Sequence, residues 1–361
     1  MNPVTVMDRM EPYRSGKMSP HSITAVFLVL FTLLPFFATG QNVQKTFSLS
    51  TSASAGVLFG QAFEEVYNQY LSTDYKNSEL VWPMMPLYYS GAGLALTVRN
   101  GIFATLDVKQ GFSGKTGLMT DSDFLNGDGV RTHFSQSDGY TERALLLDLR
   151  LGYNLPSQSA LSFGFFGGFS YMDFKWSARD GYYQYPTSGS DYYWDSNGTF
   201  HPGTDTPWSA GQTKTPLYGT GILYEQAYLI GSLGFRAAYR VLDSLSLGAS
   251  FSIAPLAYCY TEDNHEFRLV DFYSRLSGGF MIEPGLSVDY SIKPGASLKL
   301  FVNYRQLSNL KGDITQVDQG TTSTSSGGNF YAGPVSSSTS PGGSGASIWM
   351  LDASLAFRLA F

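Results

Sequence analysis

A two-residue alternation of apolar and polar side chains, carried to the last residue, sets the strongest limit on what this chain can fold into. In the final segment Trp349, Leu351, Ala353, Leu355, Phe357, Leu359 and Phe361 alternate with Met350, Asp352, Ser354, Ala356, Arg358 and Ala360. Neighbouring side chains of an extended chain point to opposite faces, so this is a strand with one apolar and one polar face. The period recurs from Phe47 through Leu49, Ala53, Ala55 and Val57 to Phe59. It recurs at Ile102–Val108, Leu145–Leu151, Leu161–Tyr171 and Leu298–Tyr304. The charges Asp148, Arg150, Lys299, Arg305 and Arg358 all fall on the polar face. A soluble barrel would turn its apolar face inward and its charges outward. Charged faces this regular fit the reverse, with lipid outside and a polar lumen inside, and a terminal Phe in such a strand is typical of bacterial outer-membrane proteins.

The connections alternate as well. Short turns are expected at Arg99-Asn100-Gly101, Pro156–Ser159, Val241–Ser244 and Lys293-Pro294-Gly295. Long polar segments lie between them near 62–79, 118–139, 180–220, 261–270 and 313–345, and 319–346 reads as a flexible exposed loop. Four short turns and five long loops predict an all-β fold, a ten-stranded antiparallel transmembrane β-barrel with both ends on the short-turn side. Eighteen residues per strand would rise roughly 45 Å against an apolar band of about 25 Å, so the barrel should stand clear of the membrane on its long-loop side.

Residues 1–40 have the make-up of a signal peptide. Arg9, Arg14 and Lys17 precede an apolar run, Ile23 to Phe37, and then Ala38-Thr39-Gly40. The expected mature domain is 41–361, exported and placed in the outer membrane. A net charge of −6 argues against a nucleic-acid partner. Cys259 is the one cysteine, which leaves no disulfide framework.

Two pairs of polar residues carry the candidate chemistry: Asp121-Ser122-Asp123 and Asp263-Asn264-His265. Residues i and i+2 of a strand share a face, so Asp263 can orient His265. Carrying the phase forward from Asp107 and Lys109 points Met119, Asp121 and Asp123 inward. The phase from Leu245 to Ile253 would point Asp263 and His265 outward. Pro255 lacks the ladder donor, which predicts a bulge near Ala254–Leu256 that reverses the phase and turns Thr261, Asp263 and His265 inward. A histidine beside a carboxylate can take a proton from water, and of two close carboxylates one can hold a proton. Either pair alone reads as solvated acids at a loop end; both pairs on facing loops read as a site that activates a water. Gly114-Lys115-Thr116 lacks the rest of a phosphate loop, and no Gly-x-Ser-x-Gly occurs. The closing Glu of a calcium loop is missing after Asp128. His133 and His201 show no paired ligand spacing, so no metal is expected.

In these motifs the chain resembles the omptin family of bacterial outer-membrane proteases. The resemblance rests on Glu64-Glu65-Val66-Tyr67, Gly117–Phe124, Ser177–Gly181, Tyr224-Glu225-Gln226 and Asp263-Asn264-His265. It implies an endopeptidase, facing the cell exterior, that uses Asp121 with Asp123 and Asp263 with His265. It also implies peptide or protein substrates cut near basic residues, outer-membrane lipid as surroundings, a catalytic water and no other cofactor, and a monomer. Glu64 matches one acid of the pocket for the basic residue. The second acid is replaced by Thr261, which puts a dibasic preference in question. Met119 and Ile222 match the apolar second pocket. The family's lipopolysaccharide-binding residues correspond to Phe169, Tyr171, Asp173 and Ala227, none of which keeps its type, so a lipopolysaccharide requirement is not expected. The alternative reading is a non-enzymatic barrel on the same scaffold, an adhesin or a narrow porin.

Overall fold

The computed structural model describes residues 47–68, 70, 75–319, 322–324, 330–332 and 336–361. The expected signal peptide and part of the Gly/Ser/Thr-rich segment 319–346 lie outside them. The described strands are β1 (Phe47–Tyr67), β2 (Lys76–Val98), β3 (Ile102–Gly111), β4 (Gly114–Asp123), β5 (His133–Asn154) and β6 (Leu161–Gln184). They continue with β7 (Tyr193–Trp194), β8 (Phe200–His201), β9 (Thr215–Leu242), β10 (Leu245–His265), β11 (Val270–Ser277) and β12 (Phe280–Lys293). The last are β13 (Ala296–Asp318), β14 (Thr322–Thr324), β15 (Phe330–Ala332) and β16 (Ser336–Ala360).

Twelve of these segments form one sheet, in which each pairs antiparallel with its neighbours. β1 pairs with β2 on one side and β16 on the other, so the sheet closes on itself. β3 and β4 are one stave interrupted at Phe112–Ser113, and β11 and β12 are one stave interrupted at Gly278–Gly279. Twelve segments therefore make ten staves, as the alternation of turns predicts. The short turns fall where expected. At the first, Gly101 takes a φ of 96° and its N–H donates to the Val98 carbonyl at 2.9 Å. Phe47 lies opposite Val98 and Ala360 opposite Ser50, so both ends of the sheet sit at the short-turn end.

The long polar segments differ from expectation. Apart from 180–220 they are mostly strand, because β1, β4, β10 and β13 run on to Tyr67, Asp123, His265 and Asp318. Their polarity reflects height rather than loop conformation: above the apolar band the outer face of the sheet meets water, and the inner face carries the buried polar groups Glu64, Thr261 and Asp263. Below, Leu149, Leu151, Phe163, Phe165, Leu300, Leu355 and Phe357 are exposed on the outer wall.

The lumen is filled. Arg305 bonds Asp148 at 2.8 Å and Glu283 at 3.0 Å, and Arg150 reaches Glu283 at 2.8 Å. Lys109 pairs with Asp352, which also accepts the Tyr89 hydroxyl at 2.5 Å. Higher up, Trp82, Trp176 and Tyr224 stack in a buried cluster with Phe174. Gln226 of β9 donates across the lumen to the Phe63 carbonyl of β1 at 3.0 Å.

Strand irregularities decide which side chains reach this interior. In β10 the register against β9 shifts between Ile253 and Leu256, with Ala254 and Pro255 opposite one residue. Before the shift Ser252 and Ala254 are buried; after it Leu256 is 73% exposed while Thr261 and Asp263 are 4% and 3% exposed. The predicted reversal is therefore present. The path to Asp121 is less direct than an unbroken phase. The break at Phe112–Ser113 turns Thr116 inward, and a second shift between Lys115 and Gly117 turns Met119 inward. Two reversals cancel.

Replacing Arg305 by Ala leaves Asp148 and Glu283 buried without their main cation. Loss of one partner of such a pair costs about 3–5 kcal/mol, and urea unfolding of the refolded barrel in detergent should show a loss of that size.

Candidate active site

Strand ends, not loops, carry the site. Glu64 on β1, Leu80 on β2 and Asp121 on β4 lie on one rung of the ladder. Rungs alternate faces, and Leu80 and Glu64 are both buried, so this rung points inward. Asp263 enters from β10, where it lies opposite Tyr224 of β9. It approaches Glu64 closely enough for the two carboxyls to interact, and Asp121 joins them. Among the eight residues singled out from sequence, Glu64, Thr261, Met119, Ile222 and Asp263 are buried, and Asp121, Asp123 and His265 are partly covered. Ile222 is the register partner of His265. Met119 lies one inward position below Asp121.

The His265 ring donates from Nε2 to Asp263 Oδ2 at 2.6 Å, and packs edge-on against Phe272 with centroids 5.4 Å apart. That bond leaves Nδ1 as the nitrogen with a free lone pair. Arg268 approaches it. The turn after β10 brings the Arg268 N–H to the His265 carbonyl at 3.1 Å, Leu269 takes a φ of 54°, and the guanidinium donates to Nδ1. Its charge also acts on Asp121 and Asp123. The sequence reading missed Arg268, since a cation three residues past a histidine points away unless a tight turn returns it. It also missed Ser78, whose hydroxyl donates to Asp121 Oδ1 at 3.4 Å.

The carboxyls share a largely covered region above the aromatic cluster. Burial, and then the facing charge of Asp123, pushes Asp121 well above the usual carboxylate range. Burial likewise raises Asp123. Glu64, 5% exposed, is raised by burial and then by Asp263 and Asp121, and its Oε2 has no hydrogen-bond donor. Burial and mutual repulsion favour the protonated form of these acids, and the imidazole of His265 is a group able to accept a proton. The arrangement thus has the parts for moving protons to and from one bound water.

A sequence model described as the Omptin family matches residues 45–338. No curated protein matches the chain. Among solved structures, the chain is similar to the outer membrane protease OmpT from Escherichia coli, with a TM-score of 0.71 at 17% identity, over 89% of this chain and 99% of that one. Likeness to the transport unit of the autotransporter AIDA-I from Escherichia coli is much weaker, with a TM-score of 0.34 at 9% identity over 93% and 98% of the two chains. The translocator domain of the autotransporter NalP from Neisseria meningitidis gives 0.31 at 9% identity over 92% and 95%.

The elevated Glu64 sets the sign of a pH effect. Between its ordinary value of 4.5 and its higher folded value, the native protein binds a proton that the unfolded chain has released. Stability therefore falls as pH rises through that window. Glu64→Gln should flatten this slope and be the more stable protein at the alkaline end, as read from urea midpoints between about pH 4 and 8; parallel curves for the two proteins would refute it.

Proposed function

The chain belongs to the omptin family, and we propose that it is a bacterial outer-membrane endopeptidase whose site opens to the cell exterior. The observation that supports this most is the convergence of a hydrogen-bonded Asp263–His265 pair with two raised carboxyls at one end of a filled barrel. An adhesin needs no such pair, and a porin needs an open lumen where this one holds Arg305, Lys109 and the aromatic cluster.

In this reading a water lies between Asp121 and His265. His265 takes its proton at Nδ1, and Asp263 holds the ring by Nε2 and stabilises the charge that forms. The hydroxide attacks the peptide carbonyl carbon. Asp121, which shares a proton with Asp123, donates a hydrogen bond to the oxygen that becomes negative. The C–N bond then breaks, and the leaving amine takes the proton from His265. Both lone-pair access and substrate entry require Arg268 to withdraw from Nδ1.

Glu64 and Thr261 shape the pocket for the residue before the cut. A protonated Glu64 and a neutral Thr261 offer a cation less than two carboxylates would, so the basic preference is weak. Met119 and Ile222 form the apolar pocket after the cut. On the outer wall Arg143 is bound by Asp173 at 2.8 Å and by Glu225 at 2.9 Å. Two acids on one cation do not suit an anionic lipid headgroup, which fits activity without lipopolysaccharide.

Peptide-library cleavage in detergent tests this reading. Wild type should cut without added lipopolysaccharide, and His265→Ala and Asp121→Ala should each lose about 10²–10⁴-fold, the range of general acid–base assistance. Equal cleavage by all three would sink the assignment. Thr261→Asp should shift the cut sites toward Arg and Lys. Removing the guanidinium from the base, Arg268→Ala should raise kcat/KM several-fold on uncharged peptides, and an unchanged value would mean that Arg268 leaves the site at no cost.

A further inference from the structure

We infer that His133, Asp191 and Asp205 form a site for a divalent cation of the zinc class, which pins the 185–214 segment beside the Asp121–Asp123 pair. The inference does not depend on the protease reading.

Three parts of the chain meet here. His133 opens β5 and is the register partner of Asp123. Asp191 and Asp205 lie on the two arms of the excursion between β6 and β9. Thr204 N–H donates to the Ser190 carbonyl at 2.9 Å, and Thr206 N–H to that of Ser188 at 3.0 Å, so the arms form a ladder. Gly189, at a φ of 116°, permits the close approach: a Cβ there would stand 2.4 Å from the Asp205 Cα. Asn126 ties the far arm to the β4–β5 connection, accepting the Asp205 N–H at 2.9 Å and donating to its carbonyl at 2.7 Å. The backbone around the acids is thus fixed by bonds that do not use their side chains.

A ring nitrogen of His133 and one carboxylate oxygen of each aspartate lie within 4.8 Å of one another. Thr132 decides which nitrogen is available. Its hydroxyl donates to the Asp123 carbonyl at 3.2 Å, so toward the ring it acts as acceptor, and His133 Nδ1, 3.0 Å away, carries the hydrogen. Nε2 is left with its lone pair facing Asp191 Oδ1 at 3.8 Å, an acceptor facing an acceptor. Asp205 adds a third acceptor: it is 5% exposed, and its buried Oδ2 has no hydrogen-bond donor. The Asp191 and Asp205 carboxyls lie within hydrogen-bonding reach of each other, and a cation between the three groups answers both carboxylates and the imidazole lone pair at once. An imidazole fixed through its second nitrogen, with two carboxylates, suits zinc or manganese and not calcium. Zinc bonds to nitrogen and oxygen are about 2.0–2.2 Å, so Asp191, the exposed member, would move inward by about 1 Å.

The test is zinc binding by the refolded full barrel in detergent, measured by equilibrium dialysis. The double variant His201→Ala with His265→Ala serves as the background, because it removes the other described imidazoles. One equivalent of Zn²⁺ should bind. His133→Ala and, separately, Asp205→Asn should weaken it at least tenfold, and Thr132→Val should cost about 10–100-fold through the ring orientation alone. Zinc should also slow tryptic cleavage at Lys214 in the background protein and not in the His133→Ala form. Absent binding, or equal binding with and without His133 in variants whose β-sheet circular dichroism matches the background, would overturn the site.

Discussion

Everything at the mouth of this barrel depends on the two-residue period of an extended chain in a closed sheet. With lipid outside, a side chain has two destinations, and one inserted residue exchanges them for the whole remaining strand. The bulge at Ala254–Pro255 is the decisive case. Without it Asp263 and His265 would stand on the outer wall, and Tyr258 and Tyr260 would fill the interior. With it the aromatic residues lie outside above the apolar band and the acid–histidine pair lies within. Proline suits the inserted position because it has no ladder hydrogen to lose.

The filled lumen supplies what the mouth needs, which is a floor that does not move. Charges inside the barrel are excluded from water in bulk, so each needs a partner at contact distance. Arg305 on Asp148, Arg150 on Glu283 and Lys109 on Asp352 bind staves that are not neighbours in the sheet. The Gln226 bond to Phe63 does the same one level higher. Such cross-lumen links hold the rung of Glu64, Leu80 and Asp121 at a set distance from Asp263. The aromatic cluster beneath excludes water and raises the carboxyls above it.

The closed sheet, its ten staves, the four short turns and the inward placement of both polar pairs were legible in the alternation itself. The bulge was legible because a proline stood where the two ends of one strand disagreed in phase. Other features left no such mark. The two cancelling reversals before Asp121 are invisible, since their sum is zero. The polar upper strands resemble loops in composition, because period-2 contrast disappears where the outer face meets water and the inner face carries polar groups as well. Arg268 was missed because its position depends on a turn with a left-handed leucine. His133, Asp191 and Asp205 come together only through the ladder between the arms of one long excursion, and no local spacing announces that.

Crowding acids at the mouth opposes folding, and the charge placement shows how that cost is limited. Glu64, Asp121 and Asp123 share a region in which full ionisation would set like charges against one another at low dielectric. Two devices relieve it. The raised carboxyls favour their uncharged form, and the Arg268 guanidinium offsets part of the charge on Asp121 and Asp123. The second device explains why the cation comes from a turn rather than a strand. A strand cation would be fixed and would block Nδ1 permanently, whereas a turn residue can neutralise the resting site and leave when another group enters. The site is therefore steadied by the same side chain that covers the His265 Nδ1.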